Sequence, residues 1–327
     1  MPRSAIIGTG AYAPQKVVTN KDFEKLFETS DEWITQMTGI KERRMAAEGE
    51  TSSDMAVKAA IRALELANTR PEDLDLIVVG TISADMPLPS CAAFVQAKLG
   101  AKKAFAFDIA AACAGSLYAM SIADQYIRSG AVKRALVIGV ELLTRVIDWD
   151  DRKTAVLFGD GAGAMVLGPT DDPNRGIMST HLHTDGTTAE ILCIPGGGSK
   201  HPQSKEVLDQ KLHKVHMNGR EVYKFAVRAL PEAVMEALDA NKLKASDINH
   251  VIAHQANIRI VEAALQRLDV PLEKCWVNID KYGNTSSASL PTTLDEANRA
   301  GKLKQGELIA MMAIGAGMAW GSALVRW

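Results

Sequence analysis

The sequence has few aromatic residues, few cysteines and no marked excess of either charge. Aromatics make up 5% of its 327 residues, so the core must consist of Ala, Val, Ile, Leu and Met, which suits helices packed closely on a sheet. The formal net charge of -2 gives no global field for capturing nucleic acid. A composition of 47% hydrophobic and 23% charged residues excludes a disordered chain and a collagen-like repeat. No apolar run reaches the length of a membrane span, so we expect no membrane partner.

The cysteines are widely spaced, and none forms a CxxC pair; they are Cys91, Cys113, Cys193 and Cys275. This spacing indicates neither a zinc site nor another metal site. The N-terminal segment also lacks the apolar stretch of a secretion signal. Together these absences predict free thiols in a reducing, cytoplasmic setting.

Apolar runs of strand length recur along the chain, and several are continuous, which predicts strands buried on both faces. The predicted strands are 4–7, 76–79, 104–109, 135–138, 163–166, 250–253, 276–279, 307–313 and 322–327. Helical patterns lie between them, at 52–66, 115–128 and 219–238. This alternation predicts an α/β fold with mixed or parallel sheets.

Segments of the first half resemble segments of the second half. The pairs are 72–78 with 246–252, 103–113 with 274–284, and the Gly-rich run 158–167 with 314–325. Taken together as one offset of about 170 residues, these matches predict a duplicated fold. The turn-rich residues 168–176 mark a junction, so we expect an N-terminal half over 1–170 and a C-terminal half over 171–327. Residues 182–216 show little periodicity and are predicted to form a long excursion, of the kind that often carries function.

Cys113 lies among small residues where a predicted strand ends and a predicted helix begins. Small neighbours leave the thiol accessible, and the partial positive charge at a helix N-terminus stabilises a thiolate. A lone cysteine is more often a small buried hydrophobe. The strand–turn–helix context nevertheless favours a nucleophile.

His254 and Asn284 are further candidates for the site. His254 follows a predicted strand, at the end where α/β folds place their chemistry. Without a partner cysteine, a hydrogen-bonded structural histidine would be the better explanation. Asn284 lies in a Gly-Asn-Thr-Ser segment that also suits a turn or a helix cap. In the alignment of the two halves Asn284 falls opposite Cys113, which predicts that these polar groups face one cleft.

These three contexts resemble the thiolase superfamily, and most closely the β-ketoacyl-acyl-carrier-protein synthase III family. The resemblance covers nearly the whole chain and includes residues 29–34, 38–44, 111–115, 158–163, 254–257, 283–286 and 320–326. A Cys-His-Asn trio separates this group from elongating synthases, which look like Cys-His-His, and from thiolases, which look like Cys-His-Cys. The resemblance implies a duplicated, five-layered α/β/α/β/α thiolase-like fold with two mixed sheets.

The resemblance also implies a decarboxylative condensation without a metal or prosthetic group. Cys113 would take the acyl group from an acyl-CoA substrate, and malonyl-acyl-carrier-protein would then lose carbon dioxide to give an enolate. His254 Nε2 and the Asn284 amide would donate to the enolate oxygen. Backbone N–H groups of Cys113 and Ala316 would form the oxyanion hole. The family more often has glycine at position 316, so this donor requires an allowed φ for alanine.

Binding of CoA is implied at a set of matching positions: Thr29, Trp33, Arg152, Gly219 and Asn257. In the family, the tryptophan and the arginine lie on opposite faces of the adenine. Met37 stands where the family often has arginine, and Arg220 stands where asparagine is common. These two departures predict an altered CoA affinity or donor choice.

The acyl pocket is implied at Leu88 and Leu157, with Leu88 reaching the pocket of the partner subunit in a homodimer. The family often has phenylalanine at Leu88, and the smaller leucine predicts a branched primer or one somewhat longer than acetyl. Lys224 and Arg259 match the basic surface that docks an acidic carrier protein, and solvated charges explain each equally well.

Three other functions remain open from the sequence. A cysteine hydrolase is one, because Cys-His-Asn also serves proteases. An acyl- or carrier-binding protein without turnover is the second. The third is a polyketide or other secondary-metabolite condensing enzyme of the same superfamily. The CoA-side motifs favour initiation of fatty-acid synthesis.

Overall fold

Two β-sheets, one of five strands and one of four, form the frame of the protein, for which a computed structural model describes residues 3–327. The strands are β1 (Arg3–Tyr12), β2 (Lys16–Thr19), β3 (Glu42–Met45), β4 (Leu76–Gly80), β5 (Phe105–Ile109), β6 (Ala135–Leu142), β7 (Asp160–Thr170), β8 (Gly176–Thr184), β9 (Leu192–Cys193), β10 (His216–Met217), β11 (His250–Ala253), β12 (Leu308–Gly315) and β13 (Ala319–Arg326). The helices are α1 (Asn20–Phe23), α2 (Asp31–Thr38), α3 (Ser52–Leu66), α4 (Cys91–Leu99), α5 (Gly115–Arg128), α6 (Arg152–Ala155), α7 (Lys205–Asp209), α8 (Gly219–Ala240), α9 (Ile258–Leu268), α10 (Ile279–Tyr282) and α11 (Ser289–Arg299).

The first sheet has the order β1-β7-β6-β4-β5, and the second has the corresponding order β8-β13-β12-β11. Strand β4 runs parallel to β5 and β6, whereas β6 is antiparallel to β7. In the second sheet β11 runs parallel to β12, whereas β12 is antiparallel to β13. Both sheets are therefore mixed, and the prediction of a duplicated fold with two mixed sheets is confirmed.

The helices form three layers that alternate with the sheets. Helices α3 and α4 cover the outer face of the first sheet, α5 and α11 lie between the sheets, and α8 and α9 cover the outer face of the second. Along β4, Leu76 and Val78 point to the central helices, while Ile77 and Val79 point to α3 and α4. The strand reads as continuously apolar because helices cover both of its faces. The five-layered α/β/α/β/α arrangement is confirmed.

One predicted strand, at residues 276–279, is wrong. Beside β11 this segment makes a single bridge, between Val251 and Cys275, and the chain turns into α10 at Ile279. The side chains of Trp276 and Asn278 donate hydrogen bonds to the Glu296 carboxylate, at 3.2 and 3.0 Å. These side-chain bonds, rather than a ladder, fix the segment.

The single offset of about 170 residues holds for one part of the repeat and is wrong for the segments around β7 and β13. Leu76 pairs with Ala135 and His250 pairs with Ile309, so these strands of the two halves lie 174 positions apart. Strands β7 and β13 are only 158 positions apart, because Leu167 pairs with Ala135 and Val325 with Ile309. A longer connection between β6 and β7 than between β12 and β13 causes this difference, so the halves do not share a single offset.

The turns that precede the two central helices also correct the alignment. A 3-10 turn at Ala112–Ala114 precedes α5, and a matching turn at Ser286–Ala288 precedes α11. Each begins with a residue in the left-handed region, with φ of 44° at Ala112 and 49° at Ser286. Cys113 therefore corresponds to Ser287, and Asn284 lies just before the second turn rather than opposite Cys113.

The predicted excursion at 182–216 consists mostly of short elements and irregular chain. It includes α7 and the two short strands β9 and β10, which pair with each other through His216 and Cys193. The excursion brings Leu192 and Cys193 to a cavity that Cys113 also lines. Within residues 3–327, no helix combines the length and apolar character that a membrane crossing requires.

Candidate active site

Cys113 lies directly before the central helix α5, in the strand–turn–helix context that the sequence predicts. The end of β12 approaches this turn so closely that a Cβ on Gly315 would lie 2.5 Å from the Cys113 backbone nitrogen. Only glycine permits this approach. As a result Ala316, the next residue, lines the same cavity as Cys113.

The electrostatic surroundings of Cys113 differ from the expectation. Burial raises the pKa of the Cys113 thiol to about 12; the Glu141 carboxylate raises it further, and a hydrogen bond with the Ser286 hydroxyl opposes these effects. Burial therefore opposes the stabilisation that the N-terminus of α5 gives to a thiolate.

His254 follows β11, and its ring is buried. Its Nδ1 lies 2.5 Å from the Ser289 hydroxyl, at the start of α11. The same hydroxyl accepts a hydrogen bond from the Gln255 backbone N–H at 3.3 Å. Burial lowers the pKa of His254 to about 3, so the imidazole is neutral at physiological pH. Because Ser289 engages Nδ1, Nε2 is the ring nitrogen available for a ligand.

Asn284 is held by its backbone and by one side-chain bond. Its N–H donates to the Leu157 carbonyl at 2.9 Å, and its carbonyl accepts from the Gly159 N–H at 3.0 Å. The Asn284 Oδ1 accepts a hydrogen bond from the Ser286 N–H at 2.8 Å. This bond fixes the carboxamide with its NH2 group as the end available for a ligand.

A tunnel of about 650 Å³ joins these three side chains to the surface. Its inner end is lined by Cys113, His254 and Asn284, so the structure brings the predicted trio together. Trp33 and Arg220 line its outer part. A long, narrow substrate arm can therefore reach the thiol from solvent.

Some of the residues expected to bind CoA line this tunnel, and others lie outside its lining. Gly219 lines it at the start of α8. Asn257 also lines it, but its side chain is used within the protein, because it accepts from the Arg259 N–H and donates to the Met37 carbonyl. The Thr29 hydroxyl is buried and has no hydrogen-bond partner among residues 3–327.

Trp33 and Arg152 face each other directly at the rim. The Arg152 guanidinium carbon lies 5.1 Å from the centroid of the Trp33 ring. A base stacked between them needs roughly 7 Å, because each stacked contact takes about 3.5 Å. The pair therefore has to separate before a base can enter.

A second cavity, of about 290 Å³, adjoins Cys113 and has a mainly apolar lining. It is lined by Ile82, Ala112, Cys113, Leu143, Phe158, Leu192, Cys193, Ile194, Val215, Ser286 and Ala316. The two residues expected at an acyl pocket are not among them. Leu157 lines the tunnel instead. Leu88 is 83% exposed. The only sequence signal for this cavity was the apolar run 192–194 within the irregular excursion.

The basic residues expected at a docking surface lie near the tunnel mouth. Lys224 forms an ion pair with Glu221 at 2.8 Å, and the Arg259 guanidinium lies 5.9 Å from the Tyr223 ring centroid. Tyr223 itself lines the tunnel. Within residues 3–327, no three His, Cys, Asp or Glu side chains cluster in a way that could hold a metal ion.

The two halves have matching sheets. A cysteine lies before one central helix, and the other half supplies a neutral histidine and an asparagine, an arrangement that defines a condensing enzyme of the thiolase fold. Two family models match the chain, for 3-oxoacyl-(acyl-carrier-protein) synthase III over residues 107–186 and for its C terminal part over residues 238–327. The chain belongs to the 3-oxoacyl-(acyl-carrier-protein) synthase III family.

Individual relatives agree with this assignment. The beta-ketoacyl-(acyl-carrier-protein) synthase III of Caldanaerobacter subterraneus is 49% identical over 324 residues, which cover 99% of this chain and 98% of the relative. The crystal structure of the Aquifex aeolicus 3-oxoacyl-(acyl-carrier-protein) synthase III is 47% identical, with a TM-score of 0.92 over 99% of this chain and 100% of that one. A priming beta-ketosynthase from a polyketide pathway is 36% identical, with a TM-score of 0.92 over 99% of this chain and 96% of that one.

Proposed function

We propose that this protein initiates fatty-acid synthesis by condensing an acyl-CoA primer with malonyl-acyl-carrier-protein through an acyl-cysteine intermediate. The observation that carries this proposal is the tunnel, which ends at Cys113 between two hydrogen-bond donors and continues as an apolar cavity. A pantetheine arm fits the tunnel, and the acyl group it delivers fits the cavity. CoA thioester is the substrate, and no metal or prosthetic group takes part.

In the first half-reaction, Cys113 attacks the thioester carbonyl and releases CoA. The backbone N–H groups of Cys113 and Ala316 stabilise the tetrahedral oxyanion. Ala316 does not have a positive φ, so alanine is accommodated where the family more often has glycine. The acyl chain then occupies the cavity beside Phe158 and Leu192.

In the second half-reaction, malonyl-acyl-carrier-protein loses carbon dioxide and its thioester oxygen becomes an enolate. His254 Nε2 and the Asn284 NH2 group donate hydrogen bonds to this oxygen. The negative charge develops on this oxygen only as carbon dioxide leaves, so both donors favour the transition state over the ground state. A neutral imidazole suits this role, and burial keeps His254 neutral. The enolate carbon attacks the acyl-cysteine and expels Cys113.

The CoA nucleotide binds at the rim of the tunnel. Adenine enters between Trp33 and Arg152 once the pair has separated, and Thr29, whose buried hydroxyl has no partner among residues 3–327, contacts the edge of the base. Gly219 and Asn257 contact the pantetheine arm. Met37 replaces an arginine that is frequent in the family, and Arg220 replaces an asparagine that is common there. The positive charge that contacts the CoA phosphates therefore lies at a different position.

The primer is branched or longer than acetyl. A cavity of about 290 Å³ exceeds the space that the methyl of an acetyl group fills, since a water in the liquid occupies about 30 Å³. Leu88, smaller than the phenylalanine common at this position, leaves further room. Initial rates across a series of acyl-CoA lengths test this proposal, and a sharp preference for acetyl-CoA contradicts it.

The protein acts as a homodimer in which Leu88 of each chain closes the acyl cavity of the other. Two features support this arrangement. Strand β5 is an edge of the first sheet, and its Phe105 side chain is 45% exposed beside Tyr126. Leu88 is 83% exposed on its own chain. Sedimentation velocity of the wild type and of a Phe105→Glu variant tests the dimer.

The acidic carrier protein docks on the basic residues around the tunnel mouth, Arg220, Lys224 and Arg259. Residues 1–170 and 171–327 act as two repeated units that share this one site. The reaction takes place in the cytoplasm, where both thioesters are available.

Intact-protein mass spectrometry after exposure to a panel of acyl-CoA thioesters tests the function. The wild type gains the mass of one acyl group and releases CoA, whereas Cys113→Ala does not. Adding malonyl-acyl-carrier-protein then yields a 3-oxoacyl-carrier product. Release of free acid without the malonyl carrier indicates a hydrolase instead, and failure of Cys113 to acquire acyl mass indicates a binding protein without turnover.

A further inference from the structure

Glu141, near the end of β6, is a carboxylate in the interior of the protein behind Cys113. Its Oε2 accepts hydrogen bonds from the Ser83 hydroxyl at 2.6 Å, the Ile82 N–H at 3.2 Å and the Thr81 hydroxyl at 3.4 Å. Its partners are hydroxyls and a backbone N–H rather than cations. Burying a carboxylate without a cation is costly, so the position calls for a functional explanation.

The other oxygen of Glu141 leads to the nucleophile. Oε1 accepts a hydrogen bond from the Ser286 hydroxyl at 3.1 Å. Ser286 and Cys113 line the same cavity, and the Ser286 hydroxyl lowers the pKa of the Cys113 thiol. Ser286 is held in place by its left-handed φ of 49° and by its N–H bond to Asn284. The Ser286 hydroxyl therefore connects the Glu141 carboxylate to the cavity that Cys113 lines.

We propose that Glu141 takes up, through the Ser286 hydroxyl, the proton that Cys113 loses when it becomes a nucleophile. The Cys113 thiol passes its proton to Ser286 Oγ, and Ser286 passes its own hydroxyl proton to Glu141 Oε1. The result is a thiolate that accepts a hydrogen bond from Ser286, and a neutral Glu141 that donates one to Ser286. No charge leaves or enters the site.

Over a full catalytic cycle the proton returns to Cys113; this step rests on the proposed function. CoA departs as its thiolate and takes a proton from water, so Glu141 stays neutral while Cys113 carries the acyl group. When the enolate attacks, Cys113 is expelled as a thiolate and recovers its proton from Glu141 through Ser286. Each turnover takes up one proton from solvent. The malonyl carboxylate leaves as neutral carbon dioxide, and the proton ends on the thiol of the released CoA.

The protonation behaviour of the neighbours fits this relay. Burial raises the pKa of Glu141 to about 7, so its acid and carboxylate forms both exist near neutral pH. The titratable groups that face it are the thiols of Cys113 and Cys91, and the Glu141 charge raises the pKa of both. His254 is a poor alternative acceptor, because burial lowers its pKa to about 3.

Alkylation of Cys113 by iodoacetamide, followed by peptide mass spectrometry over about pH 5.5 to pH 9.5, tests the relay without any acyl-CoA. In the wild type the alkylation rate rises through an inflection near neutral pH and then levels. Once the Cys113–Glu141 pair has lost one proton, the Glu141 carboxylate is free to accept the proton of the thiol. In Glu141→Gln the inflection disappears, the rate at neutral pH falls about tenfold or more, and it continues to rise with pH. Ser286→Ala gives the same profile, and the double variant is no slower than either single one.

The matched control is Ser83→Ala, which removes a hydrogen bond from the other oxygen of Glu141 and leaves the path to Cys113 intact. It retains the inflection, moved upward because the carboxylate loses a donor. A Glu141→Gln profile that is uniformly slower but keeps the inflection overturns the proposal and leaves Glu141 as an anchor for residues 81–83. Loss of the inflection in His254→Ala but not in Glu141→Gln also overturns it. If Glu141→Gln does not fold, an inflection retained in Ser286→Ala overturns the proposal and its loss supports it.

Discussion

Replacing Gly315 by alanine tests the geometry of the oxyanion hole. The new Cβ would lie 2.5 Å from the Cys113 nitrogen and 2.9 Å from the Ala111 carbonyl, whereas ordinary van der Waals contact begins at 3.4 Å. The turn that carries Cys113 must therefore move by about 0.9 Å away from β12. This movement separates the Cys113 N–H from the Ala316 N–H, the two groups proposed to bind one oxygen.

The expected consequence is a large loss of kcat with a modest loss of stability. Removing one oxyanion donor costs about 100- to 1,000-fold in kcat, and misplacing a reacting group by about 1 Å costs about 100-fold. Overpacking by one methyl costs about 1–3 kcal/mol in free energy of unfolding, which leaves a protein of this size folded.

The assay is formation of 3-oxoacyl-carrier product, with thermal unfolding measured in parallel. Gly198→Ala is the matched control, because a Cβ there meets nothing within 4 Å and the residue lies in the exposed part of the excursion. We expect it to keep wild-type activity. If Gly315→Ala stays within about threefold of the wild type while its melting temperature falls, the close approach is only a packing contact and the oxyanion assignment is wrong.

Three other predictions concern the remaining parts of the site. Ser289→Ala removes the 2.5 Å contact to His254 Nδ1, so decarboxylation of malonyl-acyl-carrier-protein slows about tenfold or more while acylation of Cys113 in single-turnover mass spectrometry is unchanged; equal loss in both steps contradicts a role through His254. Burial lowers the pKa of His254 in the folded state. As pH falls below about 6.5, this histidine binds a proton in the unfolded chain but not in the native protein, so the free energy of unfolding decreases as pH falls further. Urea unfolding measures this effect, and His254→Gln shows a smaller loss between about pH 6.5 and pH 4.5 than the wild type. Trp33→Ala raises the KM for acyl-CoA about tenfold with little change in kcat, because stacking on a base contributes about 1–3 kcal/mol, and the iodoacetamide rate of Cys113 serves as its control.

The parts of the fold that were predictable depend on local sequence. Helix α3 begins where expected because Thr51 and Asp54 exchange side-chain and backbone hydrogen bonds in a capping box. Helix α5 begins directly after the small residues around Cys113, and the continuous apolar runs became strands covered on both faces. The strand expected at 276–279 failed for a non-local reason, since Glu296, on α11, takes up the polar groups of Trp276 and Asn278.

The candidate site was only partly predictable. The contexts of Cys113, His254 and Asn284 identified the trio, although the alignment that set Asn284 opposite Cys113 was wrong by a few residues. The second cavity was missed, because its walls come from the irregular residues 192–194 and from other segments far apart in the chain. Glu141 gave no signal, since one acidic residue in an apolar run indicates neither its burial nor its neighbours.

The α/β class, the repeat and the candidate trio could be read from local sequence, because they follow from apolar periodicity, from small-residue turns and from motifs that occupy consecutive positions. Tertiary structure decided the register of the halves, the course of the tunnel, the cavity behind the nucleophile and the protonation of its neighbours. Each of these depends on groups brought together from distant segments. The pKa values of Cys113, His254 and Glu141 are shifted first by burial, and burial is set only when both sheets close around the central helices.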